Sequence, residues 1–196
     1  MLTLSNVQPG NAGNYFVIVS NSFGSATSSN AMLTVTNGSG GGTNPPPTTA
    51  IVQVVNTSTQ AGTTFDVPII LVAKGNENAL SFSLNFNPSV LSFSNVVLGL
   101  NAQDGAILVN SSQAASGAVG IELALPSGQT FSPGTQQVAR VSFHSASVLS
   151  SNSVVTPVSF TDKPIARLLS DAQGQALDAA FLNGLVTISS SSSNGL

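Results

Sequence analysis

An all-β protein, folded as a sandwich of two antiparallel sheets, is what this sequence predicts. Phe82, Leu84 and Phe86 alternate with Ser83 and Asn85, the period of two that marks a strand with one buried face. Asn87-Pro88-Ser89 then breaks the pairing, because proline has no N–H to give a ladder, and alternation resumes at Leu91 and Phe93. Roughly nine such short runs recur between polar loops, the spacing of a β-sandwich. No convincing helix interrupts them.

The chain opens with a segment over 1–36 that differs from the rest. Leu2, Leu4 and Val7 precede a turn at Pro9-Gly10; Tyr15, Val17 and Val19 follow, and Leu33 and Val35 end it. Residues 37–49 form a linker whose glycines are flexible and whose prolines are extended. Residues 50–188 form the main all-β domain. The serine-rich end, 189–196, reads as a disordered tail.

Within the main domain the strands follow one another closely. Phe65, Val67, Ile69 and Leu71 alternate, and Pro68 on the other parity places this strand at an edge or a bulge. Ile107-Leu108-Val109 and Ile121-Glu122-Leu123-Ala124-Leu125 are shorter candidates. Ala139, Val141 and Phe143 set Arg140, Ser142 and His144 on the opposite face. Val158 with Phe160 and Val186 with Ile188 complete the series, punctuated at Gly99, Gly105, Gly117, Gly128, Pro133-Gly134, Pro164 and Gly174.

Composition narrows the function. Of 196 residues 41% are hydrophobic, enough for a packed core, while only 6% are charged. All charged side chains lie between Asp66 and Asp178, and the net charge is −3. Four basic residues without a cluster exclude nucleic-acid binding by counterion displacement. No window has the ~18 consecutive apolar residues of a membrane helix. The first residues, Met1-Leu2-Thr3-Leu4-Ser5, lack the basic and apolar regions of a signal peptide. The Ser/Thr/Asn-rich, charge-poor style is that of a secreted or surface protein, and the chain reads as part of a longer modular one.

Two stretches resemble known families. Asn11-Ala12-Gly13-Asn14-Tyr15 resembles the "D-A-G-x-Y" corner of immunoglobulin-like domains, with Asn11 in the aspartate position and Val17 where the family has cysteine. The resemblance spans strands E to G and implies a partial domain over 1–36. The main domain resembles the cohesin domain. Gln60-Ala61-Gly62-Thr63-Thr64-Phe65-Asp66-Val67-Pro68-Ile69 is similar to its "G-D-x-V-x-V-P-V" opening strand. Leu84-Asn85-Phe86-Asn87-Pro88-Ser89-Val90-Leu91 is similar to "I-x-Y-D-P-x-V-L", with Phe86 for tyrosine and Asn87 for aspartate. Val138-Ala139-Arg140-Val141-Ser142-Phe143 and Gly184-Leu185-Val186-Thr187-Ile188 are similar to "L-A-x-I-x-F" and the closing "G-x-I-x-I".

This resemblance implies a nine-stranded jelly-roll sandwich that binds dockerins, small calcium-loaded helical modules, and so assembles cellulosomes or surface complexes. It places the contact on one sheet face, around the strand leading into the Asn-Pro turn. Asn78 and Ser81 fall where the best-known members have Asn and Asp, so Ser81 lacks that carboxylate. Ser83 and Asn85 extend the expected partner-binding set.

Other chemistry is thin. His144 is the sole histidine and no Gly-x-Ser-x-Gly elbow exists, so it reads as a rim residue and the protein as no enzyme. Glu77 and Glu122, the remaining candidates for paired carboxylates, read as solvated loop and strand residues. Asp171-Ala172-Gln173-Gly174 lacks the further acids of a calcium loop and reads as a turn; Asp162-Lys163-Pro164 reads as a loop. No cofactor is expected. The sequons at Asn37, Asn56 and Asn110 are what an Asn- and Ser-rich chain contains by chance. With no Trp and one Tyr, sugar stacking would fall to Phe131, which reads as packed beneath its loop. The expected function is a non-enzymatic, extracellular or cell-surface bacterial module binding a protein partner. A structural spacer or adhesion segment and a carbohydrate-binding module are the alternatives.

Overall fold

The structure is a computed structural model. It describes residues 49–147 and 152–190, together with the backbone of four short strands nearer the N-terminus. The chain divides into two compact units, Met1–Pro45 and Pro46–Leu196. In the first, β1 (Gly13–Tyr15) pairs antiparallel with β4 (Ala31–Leu33), and β2 (Ile18–Asn21) with β3 (Gly24–Thr27). Asn11 and Ala12 of the expected immunoglobulin-like corner, the linker over 37–48 and the tail over 191–196 lie outside the described residues.

The second unit is a two-sheet sandwich. Its smaller sheet runs in the order β16 (Ala179–Leu182), β5 (Ala50–Val54), β7 (Thr64–Ala73), β12 (Gly134–Ser145) and β9 (Leu91–Leu98). The larger runs β10 (Ala106–Asn110), β11 (Ala118–Ala124), β8 (Glu77–Asn85), β13 (Ser153–Thr161), β17 (Gly184–Ser189) and β6 (Thr57–Gln60). One edge of β8 is shared: β13 pairs with Ser83–Asn85, and β14 (Leu168–Asp171) pairs with Glu77–Ser81. The two-residue β15 (Ala176–Leu177) pairs antiparallel with β14. Among the described residues the only helical element is a 3-10 turn at Ala114–Ser116.

Alternation along these strands builds the core. Val67, Ile69 and Leu71 of β7 and Leu80, Phe82 and Leu84 of β8 are all buried in one core between the sheets. Phe143 gathers Phe86 at 4.9 Å between ring centroids, and Phe65 and Phe93 at 6.4 Å. A second aromatic chain links Phe82, Phe160 and Phe181 through edge-on contacts of 5.3 and 5.2 Å. Each buried phenylalanine contributes about 1.5–3 kcal/mol, and each ring pair about 0.5–1.5 kcal/mol more. The Asn-Pro turn leaves β8 where Phe86 N–H donates to Gly117 O at 2.8 Å. Asn87 Oδ1 then accepts from Ser89 N–H at 3.0 Å. Gly117 adopts φ +84°, which favours glycine, and thereby turns its carbonyl back toward β8.

Pro68 does not sit at an edge. It lies in β7, between β5 and β12. Its carbonyl accepts from Val55 N–H at 2.9 Å, just past the end of β5. In this antiparallel pair the N–H that proline lacks is the one that would donate back to Val55 O, and Thr57 Oγ1 supplies that bond instead at 3.0 Å. A bulge lies in the facing strand: the register shifts between Gln137 and Ala139, and Val138 and Ala139 are both buried. At the chain's far end Ser189 closes β17, and Ser190 N–H donates to Asn152 O.

Candidate functional site

The four residues expected to bind a partner do not share one face. Ser81, Ser83 and Asn85 point outward from β8, whereas Asn78 has the parity of buried Leu80 and Phe82. Its side-chain NH2 donates to the carbonyls of Leu125, Pro126 and Gln129, at 3.3, 3.2 and 2.7 Å. That amide pins the loop after β11. Ser83 is also enclosed: its Oγ donates to Ile165 O at 2.7 Å and accepts from Ile165 N–H at 2.8 Å. Ser81 Oγ donates to Ala166 O at 2.8 Å, and exposed Asn85 donates to Gly117 O at 3.2 Å.

These bonds tie a strap, residues 162–167, across the outer face of the larger sheet. Gly120, opposite Ser83 in β11, makes room for it: a Cβ there would stand 2.6 Å from Ile165 Cγ1. Asp162 and Arg167 close the strap's base with two side-chain bonds of 2.9 Å. These bonds, and the Arg167 N–H that also donates to Asp162, hold the carboxyl down at about 2. The Arg167 guanidinium in turn lies 5.5 Å from the Phe181 ring centroid.

Beyond the strap the same face stays open. Register sets Leu108, Glu122, Ser81 and Leu168 in one row across β10, β11, β8 and β14, with Ala106, Ala124, Ala79 and Ser170 in the next. Together they border a trough of about 320 Å³. Leu108 is 68% exposed and Leu168 47%. Glu122 is exposed between them and has no salt-bridge or hydrogen-bond partner among the described residues. The trough thus offers apolar flanks around one free carboxylate. Local pattern marks Ile107-Leu108-Val109 as a strand but does not report this surface, because only the pairing register brings Leu108 beside Glu122.

The other polar groups are spoken for locally. Asp66 receives Arg140 Nη1 at 3.3 Å and Ser142 Oγ at 2.5 Å, while His144 Nδ1 pairs with Thr64 Oγ1 at 3.1 Å. Serine, acid and histidine are therefore not chained as a triad. Asp171 Oδ1 accepts from Gln173 and Gln175 N–H at 2.9 and 2.8 Å, making the expected turn. Phe131 is buried beneath its loop. Glu77 corrects the reading of a solvated residue. It is fully buried, and its carboxylate accepts from the backbone N–H groups of Lys74, Gly75 and Asn76, because the β7–β8 turn curls three amides around it. Among the described residues no three His, Cys, Asp or Glu side chains gather as a metal site, and no helix is long and apolar enough to cross a membrane.

No protein-family model matches the sequence, and no curated protein does. Solved structures do. A non-cellulosomal cohesin from the archaeon Archaeoglobus fulgidus superposes with a TM-score of 0.59 at 14% identity, over 71% of this chain and 91% of its own. A chain of a type I cohesin–dockerin complex from Clostridium thermocellum gives 0.61 at 14%, over 73% and 95%. A type I cohesin from Pseudobacteroides cellulosolvens gives 0.59 at 17%, over 76% and 97%. The shared architecture runs through nearly the whole of each, so the second unit of this chain has the cohesin fold.

Proposed function

We propose that the sandwich is a non-catalytic interaction module that docks a dockerin-type protein partner on the outer face of β10, β11, β8 and β14. The trough carries this reading: it is apolar at its flanks, charged at one point, and lies across four paired strands. Leu108 and Leu168 supply area to desolvate, and Glu122 calls for a lysine or arginine set among apolar side chains on the partner. The solved complexes of the same fold with dockerins support the choice of partner. The strap confines the footprint, since Ser83 is covered and only Ser81 of the serine pair borders the trough. No aromatic side chain lines it, so nothing there stacks on a sugar. Secretion or surface display is part of the proposal, in keeping with the charge-poor composition.

The test is calorimetric titration with calcium-loaded dockerin modules encoded in the same genome. The reading predicts binding that Glu122→Lys weakens by at least tenfold, while Asp66→Lys on the other sheet leaves it unchanged. Failure of every dockerin to bind, or binding indifferent to Glu122→Lys, would overturn it.

A further inference from the structure

We propose that the free edge of β10 pairs with the same edge of a second copy of this chain. In an antiparallel ladder alternate residues turn their N–H and C=O groups to opposite sides. Strand β10 pairs only with β11 among the described residues, so half of the backbone groups of Ala106–Asn110 face outward without a strand to receive them. Such an edge is a template for another strand unless something blunts it.

The other edges are blunted. Strand β6 reads Thr-Ser-Thr-Gln, and β15 has two residues. Strand β9 is thrown out of register with β12 between Ser142 and Phe143 and exposes Ser92, Ser94 and Asn95. Strand β16 has four residues and carries the Arg167 guanidinium over Phe181. Strand β10, Ala-Ile-Leu-Val-Asn, has no charge, proline or bulge. Its Val109 has the inward parity of buried Ile121 opposite, yet is 40% exposed because no strand lies beyond it.

The occupant that fits is the same strand. A two-fold axis at Leu108 pairs Ile107 with the copy's Val109 and Leu108 with its own counterpart. Ala106 then meets Asn110, and the nearest charge along the strand's own sequence, Asp104, lands opposite Ser112 rather than another acid, while Glu122 lies one strand further in. Each Val109 gains the neighbour that its own sheet lacks. No like charges meet, which is the usual obstacle to self-pairing in an acidic chain. Five residues of edge make an interface at the small end, so the dimer is reversible, with Kd in roughly the 10–1000 μM range.

Sedimentation equilibrium of the full chain over a concentration series tests this. The expected result is a concentration-dependent monomer–dimer equilibrium. Val109→Lys, an inward charge on the edge, should weaken the dimer at least tenfold, and Val155→Lys, an exposed position on β13, should not. The chain has no cysteine, so Leu108→Cys gives a single thiol that meets its copy across the axis. Mild oxidation should cross-link it to a covalent dimer far faster than Val155→Cys. A chain monomeric at millimolar concentration, a dimer indifferent to Val109→Lys with the fold intact, or equal cross-linking at 108 and 155 would overturn the proposal. If Val109→Lys unfolds the chain, the cysteine pair decides alone.

Discussion

Glu77→Gln is the substitution whose cost follows most directly from the geometry. Glu77 Oε1 accepts from Lys74 N–H at 2.8 Å; Oε2 accepts from Lys74, Gly75 and Asn76 N–H at 3.0, 2.9 and 3.2 Å. Glutamine keeps the shape but places an NH2 on one side, where donors would face donors. With its carbonyl at the Oε2 position the Gly75 and Asn76 N–H groups keep their bonds, but to a neutral acceptor, and the NH2 is set against Lys74 N–H. Hydrogen bonds to a charged acceptor contribute about 1.5–3 kcal/mol each. A neutral amide is cheaper to bury than a carboxylate, which returns part of that. The net expectation is a loss of about 2–4 kcal/mol, or roughly 5–15 °C in Tm for a domain of this size. Urea and thermal unfolding followed by circular dichroism measure it, with exposed Glu122→Gln as a control that should stay within ~0.5 kcal/mol. Equal stability of Glu77→Gln and the parent chain would refute the argument that this carboxylate organises the turn into β8.

Asp162 has a folded pKa below its ordinary 3.8, so its bond to Arg167 stabilises fully above 3.8 and is lost as pH falls toward about 2. An NMR titration should place the Asp162 carboxyl midpoint near 2 and move it back toward 3.8 in Arg167→Ala; an ordinary midpoint in the parent would contradict the ion pair. Gly120→Ala should cost ~1–3 kcal/mol in urea unfolding by pressing a methyl against Ile165, with most of that recovered when Ile165→Ala is added. A neutral Gly120→Ala would mean that the strap does not rest on β11.

Much of this architecture is legible in the sequence, because alternation reports burial directly. The parity of Phe82, Leu84 and Phe86, or of Val67, Ile69 and Leu71, is what the sandwich uses. Pro68 marks a bulge in the facing strand and not an edge: β7 is interior, and the donor that proline lacks is replaced by Thr57 Oγ1 on Val55 O. Glu77 was opaque because the three amides that justify a buried carboxylate come from a turn whose curl no periodicity reports. On the candidate face, local pattern placed Ser81, Ser83 and Asn85 on one side of β8. The strap that covers Ser83 comes from a segment some eighty residues later, an adjacency only the tertiary fold creates. The same holds for Leu108 and Glu122, which β10–β11 register joins.

The most direct test of the docking account is a footprint. Amide resonances of the labelled chain would be followed while a calcium-loaded dockerin that binds it is added. Shifts concentrated at Ala79, Ser81, Leu108, Glu122, Ala124 and Leu168, with Asp66, Arg140 and His144 unmoved, are what the account predicts. Shifts confined to the opposite sheet would contradict it.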